Sequence, residues 1–271
     1  DLGFLNNRLN LTADAYVRDT KGMQTSGKKL PGAYGANEPK QNAANLRTKG
    51  WELMLTWNDA FKLANKPFRY NLSVGLADNT SEITKFDNPS KILSDYYVGQ
   101  KLGDIWGYVV DGLFRTDEEA ANYNVDQTAV NFVINTAQVN PGLHAGDMKF
   151  VDLDGDHTIS SGSNTADDPG DRKIIGNSLP RYTYSIQGGF DWYGFDFSIY
   201  LQGVGHQDWY PGTNSVFFWG PYARPYSSFI PRDFLSQVWS PENPDAYFPR
   251  PIGYLALGNN RSLGVVRSDE N

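Results

Sequence analysis

Five segments of the chain alternate apolar and polar residues, and this alternation predicts five β-strands. The segments span about 8–18, 45–57, 68–80, 181–192 and 195–204. Side chains on a strand point to opposite faces with period two, so each segment has one apolar and one polar face. The apolar face of the last segment consists of Phe195, Phe197, Ile199 and Leu201. The sequence therefore predicts an antiparallel all-β protein.

The connections between these segments alternate between short and long. The short ones are Asn6-Asn7, 58–67 and Tyr193-Gly194, and the long ones are 19–44, 81–180 and 205–260. None of the 15 prolines falls inside the five segments, as a continuous hydrogen-bonded ladder requires. Outer-membrane barrels have short turns on the periplasmic side and long loops outside. We therefore expect the short turns in the periplasm and the long loops at the cell surface.

Two architectures fit this alternation, a transmembrane β-barrel and a soluble antiparallel sandwich. Aromatic residues at the ends of the apolar faces favour the barrel, because they resemble the girdles at membrane interfaces. These residues are Trp51, Trp57, Phe68, Trp192 and Phe195. Five strands cannot close a barrel, and an open edge in lipid would leave backbone groups unpaired. The prediction is a barrel segment whose remaining strands lie outside this sequence.

Composition narrows the choice of function. The net charge of −7 argues against a nucleic acid as partner, because binding phosphates needs clustered Lys and Arg. The absence of Cys excludes disulfides and thiolate metal sites. There is no run of about 18 apolar residues that would predict a transmembrane helix. We see no signal peptide, and both ends give the impression of cuts through a longer chain.

The long connection 81–180 is too long to lack structure of its own. Thr116-Asp117-Glu118-Glu119 has the pattern of a capping box and predicts a short helix. The same connection holds an Asp-rich motif, and 205–260 is rich in aromatic residues and proline. We expect both segments to be extracellular loops.

Several motifs, in order along nearly the whole chain, resemble the SusC/RagA family of TonB-dependent outer-membrane transporters. They are Asn7–Leu11 to Tyr16, Asn45–Glu52, Gly103–Tyr108 with Asp111–Phe114, Gly146–Asp152, Ile175-Gly176 with Pro180, Phe195–Gly203, Trp209-Tyr210, and Trp239–Pro244 to Arg250. The resemblance covers only a late part of the barrel. It does not extend to the plug or the TonB box, and the sequence stops before the family's last strands.

The resemblance implies a role for the parent protein. It implies a 22-stranded barrel with a plug inside that imports oligosaccharides or peptides and is driven by TonB. A SusD-like surface lipoprotein would cap it. The implied location is the outer membrane of a Gram-negative, Bacteroidetes-like cell. Two alternatives stay open: a secreted, calcium-stabilised β-sandwich that binds carbohydrate, and a fragment of a glycoside hydrolase.

The sharpest local motif is the Asp-rich run that begins at Asp152. Carboxylates of Asp152, Asp154 and Asp156 and the backbone carbonyl of Thr158 occupy positions 1, 3, 5 and 7 of a loop typical of calcium sites. Ile159, at position 8, would anchor the loop. The motif departs from the EF-hand pattern, because His157 replaces the Gly of position 6 and Ser163 the Glu of position 12.

The sequence does not decide which residue provides the last ligand of this loop. The resemblance implies Asp171, although an insertion of about eight residues precedes it, and Asp167 and Asp168 are alternatives. Six acidic residues and no basic ones lie between Lys149 and Arg172. Such a cluster repels itself unless it is compensated. The competing interpretation is a solvated acidic loop; a bound calcium ion would hold the extracellular loop rigid and would not catalyse.

A second candidate site is the aromatic group Trp209, Tyr210, Trp219 and Tyr222, together with Phe217, Phe218 and Tyr226. Aromatic faces stack on sugar rings and anchor protein partners, but the same residues can simply pack the loop on itself. Polar-face residues that could line a substrate path or contact the plug are Arg8, Arg18, Glu52, Arg69, Asp191 and Asp196. No catalytic triad, phosphate loop or histidine metal site is evident, so we predict no enzymatic activity.

Overall fold

The computed structural model describes residues 1–26, 35, 39–127, 143–210 and 229–251. The strands are β1 Leu2–Phe4, β2 Leu9–Ser26, β3 Lys40–Leu63, β4 Lys66–Lys85, β5 Asp104–Tyr108, β6 Val110–Leu113, β7 Met148–Phe150, β8 Arg172–Asn177, β9 Arg181–Trp192 and β10 Phe195–His206. The helices are α1 Asp117–Ala121 and α2 Phe234–Gln237. No helix in these ranges is long and apolar enough to cross a membrane.

The chain divides into two compact units. The first, which we call the sheet unit, consists of Asp1–Lys91, Asp95–Gly103 and Asn177–Asp208. The second, which we call the loop unit, consists of Ile92–Ser94, Asp104–Gly176 and the described residues from Trp209 onward.

The sheet unit contains one six-stranded antiparallel sheet in the order β1-β2-β3-β4-β9-β10. Its register aligns the apolar residues of all the long strands. One row across the sheet is Leu11, Leu55, Val74, Ile186 and Leu201. The predicted alternation is therefore confirmed, because the five apolar faces join into a single face.

The apolar face of the sheet is exposed. Leu53 is 42% exposed, Leu72 45% and Phe197 52%. In a soluble sandwich these positions would pack against a second sheet and lose most of their contact with solvent. The exposure contradicts the sandwich alternative and supports the barrel wall.

The strands are longer than the alternation predicts. β2 continues to Ser26 and β3 extends over Lys40–Leu63. Both faces become mostly polar beyond Val17 and Trp51, where Asp19 pairs with Arg47 at 2.7 Å, so the regular hydrophobic periodicity ends while the backbone ladder continues. The predicted connection 58–67 is also wrong, since β3 continues to Leu63 and β4 begins at Lys66, which leaves a two-residue turn.

The short turns have left-handed backbone conformations. Ala64 and Asn65 have φ of 49° and 61°, and Tyr193 and Gly194 have φ of 51° and 86°. Positive φ at both central residues is typical of type I′ hairpin turns, which match the twist of paired strands. The tight turn predicted at Tyr193-Gly194 is confirmed.

The Ala64 turn gives a stability prediction. Replacing Ala64 by Asn should stabilise the folded full-length protein by about 1 kcal/mol, because Asn tolerates the left-handed region better than Ala. The measurement is the free energy of unfolding in denaturant. Ala60→Asn is the matched control: Ala60 is paired in the extended ladder with Arg69, where Asn is disfavoured. A destabilised Ala64→Asn protein would show that the turn is not type I′.

The loop unit has two small sheets, β5 with β8 and β6 with β7. Its core cluster is Leu113, Met148, Phe150 and Ile159. The predicted short helix and its Thr116 cap are confirmed at the start of α1, where the Thr116 hydroxyl accepts the N–H of Glu119 at 3.1 Å. The Glu119 carboxylate accepts the N–H of Arg115 at 2.8 Å, one residue before the helix cap.

Candidate functional site

The apolar face has the height of a membrane. On β3 it runs from Trp51 to Phe61, ten positions apart, a rise of about 33 Å along the strand, and Asp59, next to the Phe61 end, pairs with Arg8 at 3.3 Å. At the strand tilt of about 40° usual in barrels, this corresponds to about 25 Å, the height of the lipid-facing band of outer-membrane barrels.

Aromatic rings line the end of this band that lies next to the tight turns. Ring centroids lie 5.0 Å apart for Phe61 and Phe68, 5.3 Å for Phe68 and Phe190, and 5.4 Å for Phe190 and Phe197. The Trp192 indole also donates to the backbone carbonyl of Leu63 at 3.3 Å. A continuous aromatic row at one edge is what an interfacial girdle requires.

The opposite face of the sheet is polar and mostly uncharged in its central rows. One row is Asn10, Thr56, Ser73, Gln187 and Tyr200, and the next is Thr12, Met54, Gly75, Ser185 and Gln202. A cavity of about 770 Å³ includes residues of the second row together with Asp14 and Glu52. Such a face can bind through hydrogen bonds from hydroxyls and amides.

The Asp-rich loop brings three predicted ligands together. Carboxylate oxygens of Asp152, Asp154 and Asp156 lie within 4.8 Å of one another. Asp152 accepts the N–H groups of Gly155 at 2.6 Å and His157 at 2.8 Å. Burial acts to raise the pKa of Asp152, but these N–H groups outweigh it and hold that pKa below its usual range. An all-oxygen set of this kind suits a hard cation such as calcium.

Although His157 replaces the Gly of the EF-hand pattern, the backbone turn at this position is kept. His157 has φ of 64°, the left-handed conformation for which position 6 usually needs Gly. The loop exit is held by the core, because Ile159 is fully buried and its N–H donates to the carbonyl of Asp126 at 2.7 Å. The predicted anchoring role of Ile159 is confirmed.

The structure places Asp171 at the base of the loop. Its buried carboxylate accepts the N–H of Leu153 at 2.8 Å and of Ser160 at 2.7 Å, so it joins the two ends of the loop. The alternative ligand Asp168 accepts the N–H and the hydroxyl of Ser163, and this hydroxyl bond lowers the pKa of Asp168. Asp167 is exposed. The three acids have separate environments, and none is part of the cluster formed by Asp152, Asp154 and Asp156.

Only part of the aromatic candidate site lies in the described residues. Trp209 is 72% exposed and Tyr210 41%, and burial raises the pKa of the Tyr210 hydroxyl. Trp219 and Tyr222 lie outside the described residues, as do Phe217, Phe218 and Tyr226.

Sequence reasoning missed a buried ion pair in the loop unit. Asp147 is fully buried, and its two oxygens accept from Arg250 Nε at 2.9 Å and Nη2 at 3.1 Å. The backbone N–H of His144 also donates to Asp147, at 3.0 Å. Both residues lie in motifs that carry the resemblance, but they are 103 positions apart. The signal that sequence reasoning could have used is Asp147 itself, an acidic residue directly before the apolar strand β7.

Comparison with known proteins places these features in context. No family model matches the chain. Two TonB-dependent receptors of Formosa agariphila, designated P39 and P3, match it at 27% identity over 222 residues and 23% over 215 residues. The matches cover 73% and 74% of this chain but only 20% and 19% of the two receptors. The chain therefore spans about a fifth of the length of these relatives.

Solved structures show the same fold. The RagAB peptide transporter matches with a TM-score of 0.54 and 18% identity over 93% of this chain and 25% of that chain. The RagAB peptide importer in the open-open state matches with a TM-score of 0.57 and 16% identity over 92% and 24%. The predicted all-β barrel segment is confirmed by these matches and by the exposed apolar face.

Proposed function

Because sequence and fold both confirm the resemblance to SusC/RagA-type TonB-dependent receptors, we propose that this chain is part of an outer-membrane transporter. The parent protein imports oligosaccharides or peptides. The segment supplies six neighbouring strands of the barrel wall, which contact outer-membrane lipid, and two extracellular loops, 81–180 and 205–260. Its apolar face carries the proposal: the face is exposed, continuous over five long strands and about 25 Å high.

The partners follow from the same proposal. A SusD-like surface lipoprotein works with the transporter outside, TonB acts through an N-terminal part of the parent, and plug and further barrel segments complete the wall. The name of RagAB supports a peptide substrate, whereas the exposed Trp209 and Tyr210 suit a sugar ring equally well. The Formosa relatives support a Bacteroidetes-like host. The names of the relatives describe receptors and transporters, in line with a protein without enzymatic activity.

Fractionation and uptake test this function directly. The full-length protein should sediment with the outer membrane, and deletion of its gene should abolish uptake of one oligosaccharide or peptide class. Complementation with the intact gene should restore uptake, and a gene with a deleted TonB box should not. Recovery of the protein in the soluble fraction would contradict the proposal.

The Asp-rich loop supports a second element of the proposal, a structural calcium ion. Asp152, Asp154 and Asp156 would hold it with their carboxylates and Thr158 with its carbonyl. Three carboxylates within 4.8 Å repel one another, and a divalent cation would relieve this repulsion. The buried Asp171 would support the ion indirectly, by fixing Leu153 and Ser160.

Calcium should slow hydrogen exchange in this loop. In the full-length protein, the amides of Gly155 and His157 should exchange at least about tenfold more slowly with calcium than with chelator, because the ion stabilises the closed loop. Asp154→Asn should remove the difference, and Glu118→Gln, an exposed acid on α1, should preserve it. Equal exchange with and without calcium in the unaltered protein would favour the solvated acidic loop.

His157→Gly should strengthen the same site. Gly adopts φ of 64° without the steric cost that His bears, about 1 kcal/mol. We therefore expect the closed loop to be more stable, with about fivefold slower hydrogen exchange at the Gly155 and Thr158 amides of the full-length protein. Faster exchange would show that the His157 side chain contributes to the site.

A further inference from the structure

The apolar face of the sheet has a polar border at the end opposite the tight turns. Beyond Trp51, the next row that points to the same side consists of Val17, Lys49 and Thr80. Lys49 is two positions from Trp51, so its Cα lies about 7 Å further along β3, which is about 5 Å higher at a strand tilt of about 40°. The headgroup layer above the hydrocarbon core of a bilayer is about 5–7 Å thick. Lys49 therefore lies at the height of lipid headgroups.

The arginines of this border are paired with carboxylates. The guanidinium of Arg47 binds Asp19 with both ends of its fork, at 2.7 Å from Nε to Oδ1 and 3.1 Å from Nη2 to Oδ2. Arg181 binds Asp78 in the same way, through Nε and Nη2. Two bidentate pairs thus neutralise each other within the protein and leave neither arginine with an uncompensated charge.

Lys49 lacks such a carboxylate. Its side chain is exposed and makes no ion pair or hydrogen bond with the residues that the structure describes. Glu82, the next acid along β4, lies between Arg47 and Lys101 in the register. Lys49 is therefore a positive charge that the described part of the border leaves uncompensated.

Two hydrogen-bond donors adjoin Lys49. Thr80 is directly opposite Lys49 in the register, and Trp51 is the neighbouring residue of β3 on the same side. Neither the Thr80 hydroxyl nor the Trp51 indole N–H has a hydrogen-bond partner within the described ranges. The indole of Trp57, in contrast, donates to the Tyr70 hydroxyl at 3.1 Å. One ammonium group, one hydroxyl and one indole N–H thus lie side by side at the upper edge of the apolar face, with donors to offer to a ligand.

We propose that Lys49, Thr80 and Trp51 bind the phosphate of a lipid headgroup in the outer leaflet. The inference rests on the proposed function, since it takes the apolar face to contact lipid and the tight turns to face the periplasm. The occupant is a lipid because the site continues the lipid-facing band, and its headgroup is anionic because the uncompensated charge is positive. Lys49 attracts the phosphate as a point charge, while the hydroxyl and the indole N–H donate to phosphate oxygens.

Lipid A is the probe for this site, because it places phosphate on a lipid of the outer leaflet. The full-length protein is purified from outer membranes in detergent, delipidated, and titrated with phosphorylated or with dephosphorylated lipid A. Bound lipid is counted by native mass spectrometry. The phosphorylated form should bind at least about fivefold more tightly, the effect of one basic side chain near an anionic membrane surface.

Variants of the site identify the residues responsible. Lys49→Gln should remove the preference for the phosphorylated form, and Lys49→Arg, which keeps the charge, should preserve it. Thr80→Val should weaken binding of that form by about threefold, the effect of one lost hydrogen bond. Lys62→Gln is the matched control and should change nothing, because Lys62 is exposed on the same strand but next to the tight turn.

Three results would overturn the headgroup site. Equal affinity of the unaltered protein for both forms of lipid A means that phosphate is not recognised. Displacement of lipid A by inorganic phosphate at equal concentration means a general anion site, and equal losses in Lys49→Gln and Lys62→Gln mean non-specific attraction. Absence of the full-length protein from the outer membrane would instead refute the proposed function.

Discussion

Replacing Arg250 by Met should destabilise the loop unit by about 3–5 kcal/mol, because it removes the guanidinium that neutralises the buried carboxylate of Asp147. Asp147 is fully buried, and Arg250 provides two hydrogen bonds to it, at 2.9 and 3.1 Å. The N–H of His144 remains as a donor but does not neutralise the charge. The loss exceeds that of any surface ion pair in the unit, since exposed pairs contribute about 0–1 kcal/mol.

Hydrogen exchange measures this effect in the full-length protein. The amides of Phe114 and Gly146, which bond to the carbonyls of Asp147 and Phe114, should lose most of their protection. The control is the double variant Asp147→Leu and Arg250→Met, which removes the buried charge together with its partner. It should recover much of the stability, because well-packed apolar residues replace buried ion pairs at little cost. If the single and double variants lost equal stability, the effect would come from packing and not from the buried charge.

Placing an arginine on the apolar face should be costly as well. Leu72→Arg should destabilise the folded barrel by about 2–4 kcal/mol, the cost of Arg on the lipid face near the bilayer midplane. Leu72 is 45% exposed and lies in a central row with Trp57 and Ile199. In a water-exposed sheet the same change would cost little.

The neighbouring residue provides the matched control for this variant. Asn71 is exposed on the polar face of the same strand, so Asn71→Arg adds the same side chain to the barrel interior. We expect a change within about 0.5 kcal/mol. The measurement is the free energy of unfolding from lipid bilayers in denaturant. A Leu72→Arg protein as stable as Asn71→Arg would exclude a lipid-facing role for this face.

The sequence predicted the strands well wherever a periodic pattern of residues faced one uniform environment. Apolar residues such as Leu55 and Val74 alternate because lipid contacts one face, and their register follows from that alternation. Where β2 and β3 extend past the apolar band, both faces are mostly polar and the regular alternation is lost. The strand ends at Ser26 and Lys40 therefore could not be located from hydrophobic periodicity.

The candidate sites differ in a similar way, because some depend on residues close in sequence and others on residues far apart. The spacing of Asp152, Asp154 and Asp156 placed three carboxylates together, because the turn is local. The role of Asp171 was less accessible, since its bonds to Leu153 and Ser160 depend on how the insertion folds. Nothing in sequence spacing pairs residues 103 positions apart, so the Asp147 ion pair emerged only from the fold.

The lipid-facing assignment is tested most directly by probe accessibility along β4. The 271 residues contain no Cys, so single cysteines can be placed at each position from 68 to 77 and labelled in native outer membranes. We expect period two, with Phe68, Tyr70, Leu72, Val74 and Leu76 reached by a lipid-soluble probe and not by a water-soluble maleimide, and the intervening positions not reached by the lipid-soluble probe. Shielding of the even positions from both reagents, as in a closed globule, would contradict a barrel wall.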